Sequence, residues 1–367
     1  MPQKRTKSTS APPDRFFAKE LKGETPPSVA TMVKLYLRAM KLFALSPWEL
    51  LDESQLIVTR NAESGELRYC SVMGAIGQVY SLHVYLGEDG FQQFRRIETD
   101  EIAHPLELFA ASRFIYVESV SKSELERQDR ELLAALGHPK TKSVDTPIFR
   151  SVRPGYFPWF VNAEEAQTLI ECLEAVTMIC IALGDVTFPN LWDRPGEYPC
   201  VTPVEGEENH FTIERVQPAP AVRAPARPLH LDDEMLRPLR NLDLAIRGVM
   251  ELDYLYTGSS AGKSNERKAS MCVALAVDAK TGFVYQADLV MVSVPPAEAL
   301  ANSFLKAVKT TRTLPEEIKV RSHAFATGLT PLMEAFGVKL NVSNRLPALD
   351  EAAAALLGYL QSGFIDS

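Results

Sequence analysis

Val249-Met-Glu-Leu-Asp-Tyr-Leu-Tyr-Thr257 opens the stretch Val249–Ser343, whose order of elements decides the fold. Its alternation reads as a strand, with Met250, Leu252, Tyr254 and Tyr256 on one face and Glu251, Asp253 and Leu255 on the other. A charged loop leads to a hairpin, Met271–Asp278 and Phe283–Val292, joined at Lys280-Thr-Gly282. A helix, a short strand (Ile318–Arg321), a second helix and a last strand (Lys339–Ser343) complete it. Two carboxylates on one face of a central strand are unusual, because an unpaired buried charge is costly. Glu251 and Asp253 therefore sit at the sheet's end, pair with cations, or surround a metal.

Upstream, Gln217–Pro228 (QPAPAVRAPARP) reads as a semi-rigid Pro/Ala linker, which divides the chain into two domains. The N-terminal domain, residues 28–216, begins with a helix capped by Ser28 and ending before Ser46-Pro47. Short strands follow at Gln55–Val58, Leu67–Met73, Val79–Leu86 and Phe114–Val120, punctuated by glycine turns. Ser123 caps a helix ending at Gly137, Ile148–Phe160 is extended, and Asn162 caps a long helix to Leu183. Gly196–Val216 adds a hairpin. The expected class is α+β: an antiparallel sheet with helices in residues 28–216, and an α/β domain in residues 229–367. Residues 1–27 read as a disordered basic tail.

With 367 residues, 46% of them hydrophobic and 23% charged, the chain suits a folded two-domain protein. No apolar run reaches the roughly 18 residues of a membrane span, and no signal peptide follows the basic start. Five scattered cysteines form no CxxC pair and read as buried thiols of a cytoplasmic protein. The net charge of −8 disfavours a general polyanion surface, since phosphate affinity comes from Lys and Arg.

The familiar catalytic spacings are missing. Gly258-Ser-Ser-Ala-Gly262-Lys263-Ser264 has three residues between its glycines where a phosphate loop has four, and a strand follows where a helix is required. The six histidines include no HxH or HExxH pair, so no metal site is expected. No G-x-S-x-G turn occurs. Arg153, Tyr156 and Trp159 cluster around a Pro-Gly turn; planar cations beside aromatic faces form a ligand pocket or the packed rim of an extended segment, and packing is the expectation.

Ala274-Leu-Ala-Val-Asp-Ala-Lys-Thr-Gly-Phe-Val-Tyr285 and Leu314-Pro-Glu-Glu-Ile-Lys-Val-Arg-Ser-His323 resemble the ribonuclease H-like core of integrases and transposases, over about Val249–Leu360. The resemblance implies a first catalytic acid at Asp253 and a third at Glu351, on a helix Asp350–Leu360, with Mg²⁺ or Mn²⁺ as cofactor. The second acidic position falls on Arg321-Ser322-His323, which holds no carboxylate. Two hard cations need clamping carboxylate oxygens, and Arg321 would repel them. A degenerate core without cofactor is therefore expected. Leu45-Ser-Pro-Trp48, Val84-Tyr-Leu-Gly-Glu-Asp-Gly90 and Phe149–Trp159 further resemble an uncharacterised bacterial family of two domains of unknown function. The expected role is non-catalytic binding or adaptor work. The alternatives are a metal-dependent nuclease or nucleotidyl transferase using Asp253 and Glu351, and a small-molecule site at Arg153, Tyr156 and Trp159. A protein partner fits the first role, no membrane is implied, and the sequence names no partner.

Overall fold

The computed structural model describes residues 20–99, 112–137, 145–204, 210–219, 228–237, 239, 242–263 and 266–363. It is a mixed α+β chain of two compact units. The first comprises residues 1–221 together with 262–268, and the second comprises residues 222–261 and 269–367. The division falls in the Pro/Ala stretch, of which residues 220–227 lie outside the described residues.

In the first unit, β1 (Ile57–Arg60), β2 (Leu67–Met73), β3 (Tyr80–Leu86), β4 (Phe114–Val120), β5 (Thr146–Val152), β6 (Tyr198–Pro203) and β7 (Phe211–Val216) form one sheet, in the order β5-β4-β3-β2-β1-β6-β7. Neighbours are antiparallel except β1 and β6, which run parallel through Val58 and Cys200. One face packs on α1 (Val29–Phe43) and the long α4 (Ala163–Leu183) through Ile57, Cys70, Val84 and Ile115. The other face packs on α2 (Gly87–Glu98) through Tyr69, Tyr85 and Phe114. Between them lies α3 (Arg127–Ala135) in chain order, its Asp129 bound at 2.6 Å to the buried Arg150.

A reciprocal capping box starts α4: Asn162 Oδ1 accepts the Glu165 amide at 2.9 Å, and Glu165 Oε2 accepts the Asn162 amide at 3.0 Å. Contrary to the sequence reading, α4 is long and apolar enough to cross a membrane, yet 61% of that window is buried within the protein. Its Glu171 and Glu174 are bound by Arg68 and Arg38 at 2.5 and 2.7 Å, the setting of a core helix. At the turn after β2, Gly74 (φ +141°) leaves no room for a side chain: a Cβ would lie 2.9 Å from that of Trp48.

The disordered tail expected over residues 1–27 is corrected for residues 20–27. Leu21 is buried in the core, the Thr25 carbonyl accepts the Ala163 amide at 2.9 Å, and Glu24 binds Arg153. One apolar side chain and one counter-charge tie down a stretch whose composition alone reads as solvated. Residues 1–19 lie outside the described residues.

In the second unit, β9 (Val249–Ala261), β10 (Ala269–Asp278), β11 (Val284–Met291), β13 (Glu317–Val320) and β14 (Lys339–Val342) form a sheet in the order β11-β10-β9-β13-β14. β10 and β11 are antiparallel neighbours, while β13 and β14 run parallel to β9. A short α5 (Asp233–Leu236) precedes this sheet, and β12 (Thr313–Leu314) pairs with β8 (Ala245–Ile246) beside it. Helices α6 (Pro296–Thr311) and α7 (His323–Phe336) cover the face carrying Met250, Leu252 and Tyr254. Helix α8 (Pro347–Gly363) covers the other face through Leu346, Leu349 and Ala353 on Leu275 and Val277. The segment rejected as a phosphate loop is the end of β9 through Ala261.

Candidate functional site

Glu251 and Asp253 both lie on the face of β9 beneath α8, each 2% exposed. Neither is unsatisfied. Glu251 Oε2 accepts the backbone amide of Leu349 at 2.8 Å. Leu349 is the third residue of α8, so this carboxylate meets one of the helix's orphan donors at the positive end of its dipole.

Asp253 Oδ1 accepts the Tyr254 amide at 2.9 Å, and its Oδ2 accepts Arg321 Nε at 2.7 Å. Arg321 follows directly on the last residue of β13, the position where the resemblance placed a second acid. Its Nη2 donates to Asp350 Oδ1 at 2.5 Å and its Nη1 to the Asn344 carbonyl at 3.3 Å. The guanidinium thus stands between two carboxylates, its planar fork satisfying both. Burial pushes the Asp253 carboxyl above its ordinary value, and outweighs the hydrogen bonds from Arg321 and the Tyr254 amide that lower it. Burial pulls Arg321 down, but its bonds to Asp253 and Asp350 more than offset that and raise it.

The acid that meets Asp253 through Arg321 is Asp350, whereas Glu351 is exposed on α8. Successive helix residues point about 100° apart, so only one of the two faces Arg321. This corrects Glu351 as Asp253's counterpart. His323 is exposed at the first turn of α7. Asp278 is a turn residue: Oδ1 accepts the Lys280 and Thr281 amides at 3.0 and 2.7 Å, and Oδ2 accepts the Tyr285 hydroxyl at 2.6 Å.

A divalent ion does not fit this arrangement. The space between Asp253 and Asp350 holds a fixed cationic side chain, and no group of three or more metal-ligating side chains is arranged for an ion among the described residues.

The first unit holds a second candidate, a polar cavity of about 350 Å³. Arg68, Arg113 and Arg153 line it together with Glu66, Glu164 and Glu165. Arg68 is bound by Glu171, and Arg153 by Glu24 and Glu165 at 2.6 and 2.9 Å. Arg113 has no ion-pair partner among the described residues. Of the three residues weighed as an alternative small-molecule site, Arg153 alone lines this cavity. Tyr156 is exposed beside the turn. Trp159 packs on the core, donating Nε1 to the Glu20 carbonyl at 2.6 Å and pairing its backbone with Ser151. Sequence reasoning missed Arg68 and Arg113, which come from distant stretches and carry no local signature.

Residues 33–190 match a family model described as a domain of unknown function (DUF7309), and residues 235–357 match a second, also a domain of unknown function (DUF6930). No curated protein and no solved structure matches the chain. The chain is a two-domain α+β protein, each part of which matches its own family model of unknown function.

Proposed function

We propose that the chain is a non-catalytic binding or adaptor protein, and that its second unit is a ribonuclease H-like core closed by its own arginine. The connectivity supports the likeness. A central strand is followed by an antiparallel hairpin on one side and two parallel strands, each reached through a helix, on the other. Asp253 occupies the first acidic position of that core. The observation that carries the reading is Arg321 bridging Asp253 and Asp350 where a catalytic version of the core would clamp a cation.

The test is cleavage or strand transfer of labelled single- and double-stranded DNA and RNA with Mg²⁺ or Mn²⁺, comparing wild type with Asp253→Asn. No turnover is expected from either. Turnover by wild type that disappears in the variant establishes the nuclease alternative. A cytoplasmic setting is part of the proposal, supported by five buried, unbridged cysteines.

Small-molecule binding in the first unit is a second reading, favoured by Arg113, which lines the 350 Å³ cavity and has no ion-pair partner among the described residues. Thermal-shift screening tests it, since a ligand that binds only the folded state raises the melting temperature. A shift that survives Arg113→Ala counts against the cavity.

A further inference from the structure

Five strands spaced about 4.8 Å apart make a sheet wide enough for two helices, each roughly 10 Å across, on each face. In the second unit one face carries two, α6 and α7. The other carries α8 alone, over β9 and β10, so both edges of that face lie bare among the described residues.

The two bare edges differ in chemistry. Over β13 and β14 the uncovered side chains are Glu317, Lys319, Lys339 and Asn341. Three of them satisfy one another, Asn341 donating to Glu317 at 2.7 Å and Lys339 pairing with it at 3.7 Å, and Lys319 lies between Asn341 and Glu251 in register. Over β11 the uncovered row is Ala287, Leu289 and Met291, which lie across from Leu275, Val273 and Met271 of β10. Leu289 is 54% exposed and Met291 49%, and Phe283 at the hairpin end is 62% exposed. A large exposed apolar row on a sheet edge marks an interaction surface.

The wall of this trough is the flank of α8 turned away from Arg321. At 100° per residue that flank carries Ala348, Ala352, Ala355 and Tyr359, with no charged side chain among them. Row and flank therefore form one continuous apolar surface. β11 itself bears one charge, Asp288, which Lys306 holds at 2.7 Å.

We propose that this surface is the interface of a twofold dimer, with the α8 flank of each copy seated on the β11 row of the other. The occupant is a second copy because the surface supplies both halves of its own complement, an apolar trough and a small-residue helix flank, side by side. A twofold axis brings such halves together reciprocally. No charged group in it would repel its like across the axis. β11 is about 26 Å long, and trough plus flank about 20 Å wide, giving roughly 500 Å² per copy. The total of about 1,000 Å² reaches the lower bound of a specific interface.

Sedimentation velocity and light scattering on the full chain, into the tens of micromolar, test this. Wild type is expected to be a dimer. Leu289→Lys and Ala355→Arg are each expected to shift it to monomer without changing far-ultraviolet circular dichroism, because both sites are exposed in one copy. Lys319→Glu on the opposite edge of the same face should leave the dimer intact. A monomeric wild type overturns the proposal, as does a dimer that survives both Leu289→Lys and Ala355→Arg. So does a Lys319→Glu protein that dissociates as readily as those two.

Discussion

Replacing Arg321 by alanine strips the buried Asp253 of the one cation that binds it among the described residues. Breaking a fully buried ion pair costs about 3–5 kcal/mol, because the remaining charge is stranded. Asp253 is 2% exposed but the Arg321 side chain is 35% exposed, so solvent shares in screening the pair. The expected loss is therefore about 2–3 kcal/mol near neutral pH. In an Asp253→Asn background no charge is stranded, and the same substitution should cost about 1 kcal/mol. Urea denaturation of the four proteins closes the cycle, with a coupling of about 1–2 kcal/mol expected for two groups in contact. The pH dependence has a definite sign. Burial raises the Asp253 carboxyl above its ordinary 3.8, so the folded state binds a proton that the unfolded chain has released. Its contribution is favourable at acidic pH and is lost as pH rises through the raised value. Without Arg321 that value climbs further. The Arg321→Ala deficit should therefore shrink as pH falls from neutrality towards the ordinary carboxylate range, approaching that of the Asn-background variant. Equal costs in both backgrounds, or a deficit independent of pH, would refute the account.

Glu251→Ala removes the acceptor for the Leu349 amide and should cost about 1–2 kcal/mol by denaturation, with faster hydrogen exchange in the first turn of α8. His83 stacks on Phe114 at 5.0 Å, and burial drops its pKa from 6.5 to about 4. The unfolded chain then binds the proton first, so stability should fall as pH drops from 6.5 towards 4. His83→Phe should flatten that acid limb in a urea titration, and an unchanged limb would exclude His83 as its source. If Arg321 stands where a cation would, Mn²⁺ should raise the melting temperature of Arg321→Ala through Asp253 and Asp350 and leave wild type unmoved. Equal response of the two proteins would count against it.

The strands were legible wherever alternation met a hard boundary. β2 at Leu67–Met73, β4 at Phe114–Val120 and α4 at Ala163–Leu183 sit where their residues predict, since Gly65 and Gly74 bound the first, a Ser121–Glu124 turn ends the second and an Asn162 cap starts the third. α3 was misplaced at its start. Ser121 and Glu124 close a turn, and the helix begins at Arg127 behind a Glu126 cap, so the Ser123 signal served the turn. In α8 the expected start at Asp350 came three residues late, because Pro347 suits a first helical turn. That shift bears on the site. Which of Asp350 and Glu351 faces Arg321 depends on helix phase and on where α8 rests on the sheet, neither of which composition reveals. The pairing of Arg68, Arg113 and Arg153 around one cavity was equally hidden, because strand order and α4 bring them together.

Buried carboxylates on a central strand usually suggest catalysis, since active sites are where charge is buried and pKa values move. Here both acids of β9 act on the same element. Glu251 holds the Leu349 amide of α8, and Asp253 reaches the adjacent Asp350 through Arg321. Three negative groups are met by one guanidinium and the positive end of a helix, about half a charge, so the cluster keeps a deficit of positive charge that partial exposure of Arg321 and Asp350 relieves. The row thus fastens α8 at its N-terminus, while Leu349 and Ala353 seat it on Leu275 and Val277. Fixing α8 over β9 and β10 is also what leaves the β11 edge open. The residues that fasten α8 therefore also determine which apolar surface this unit presents.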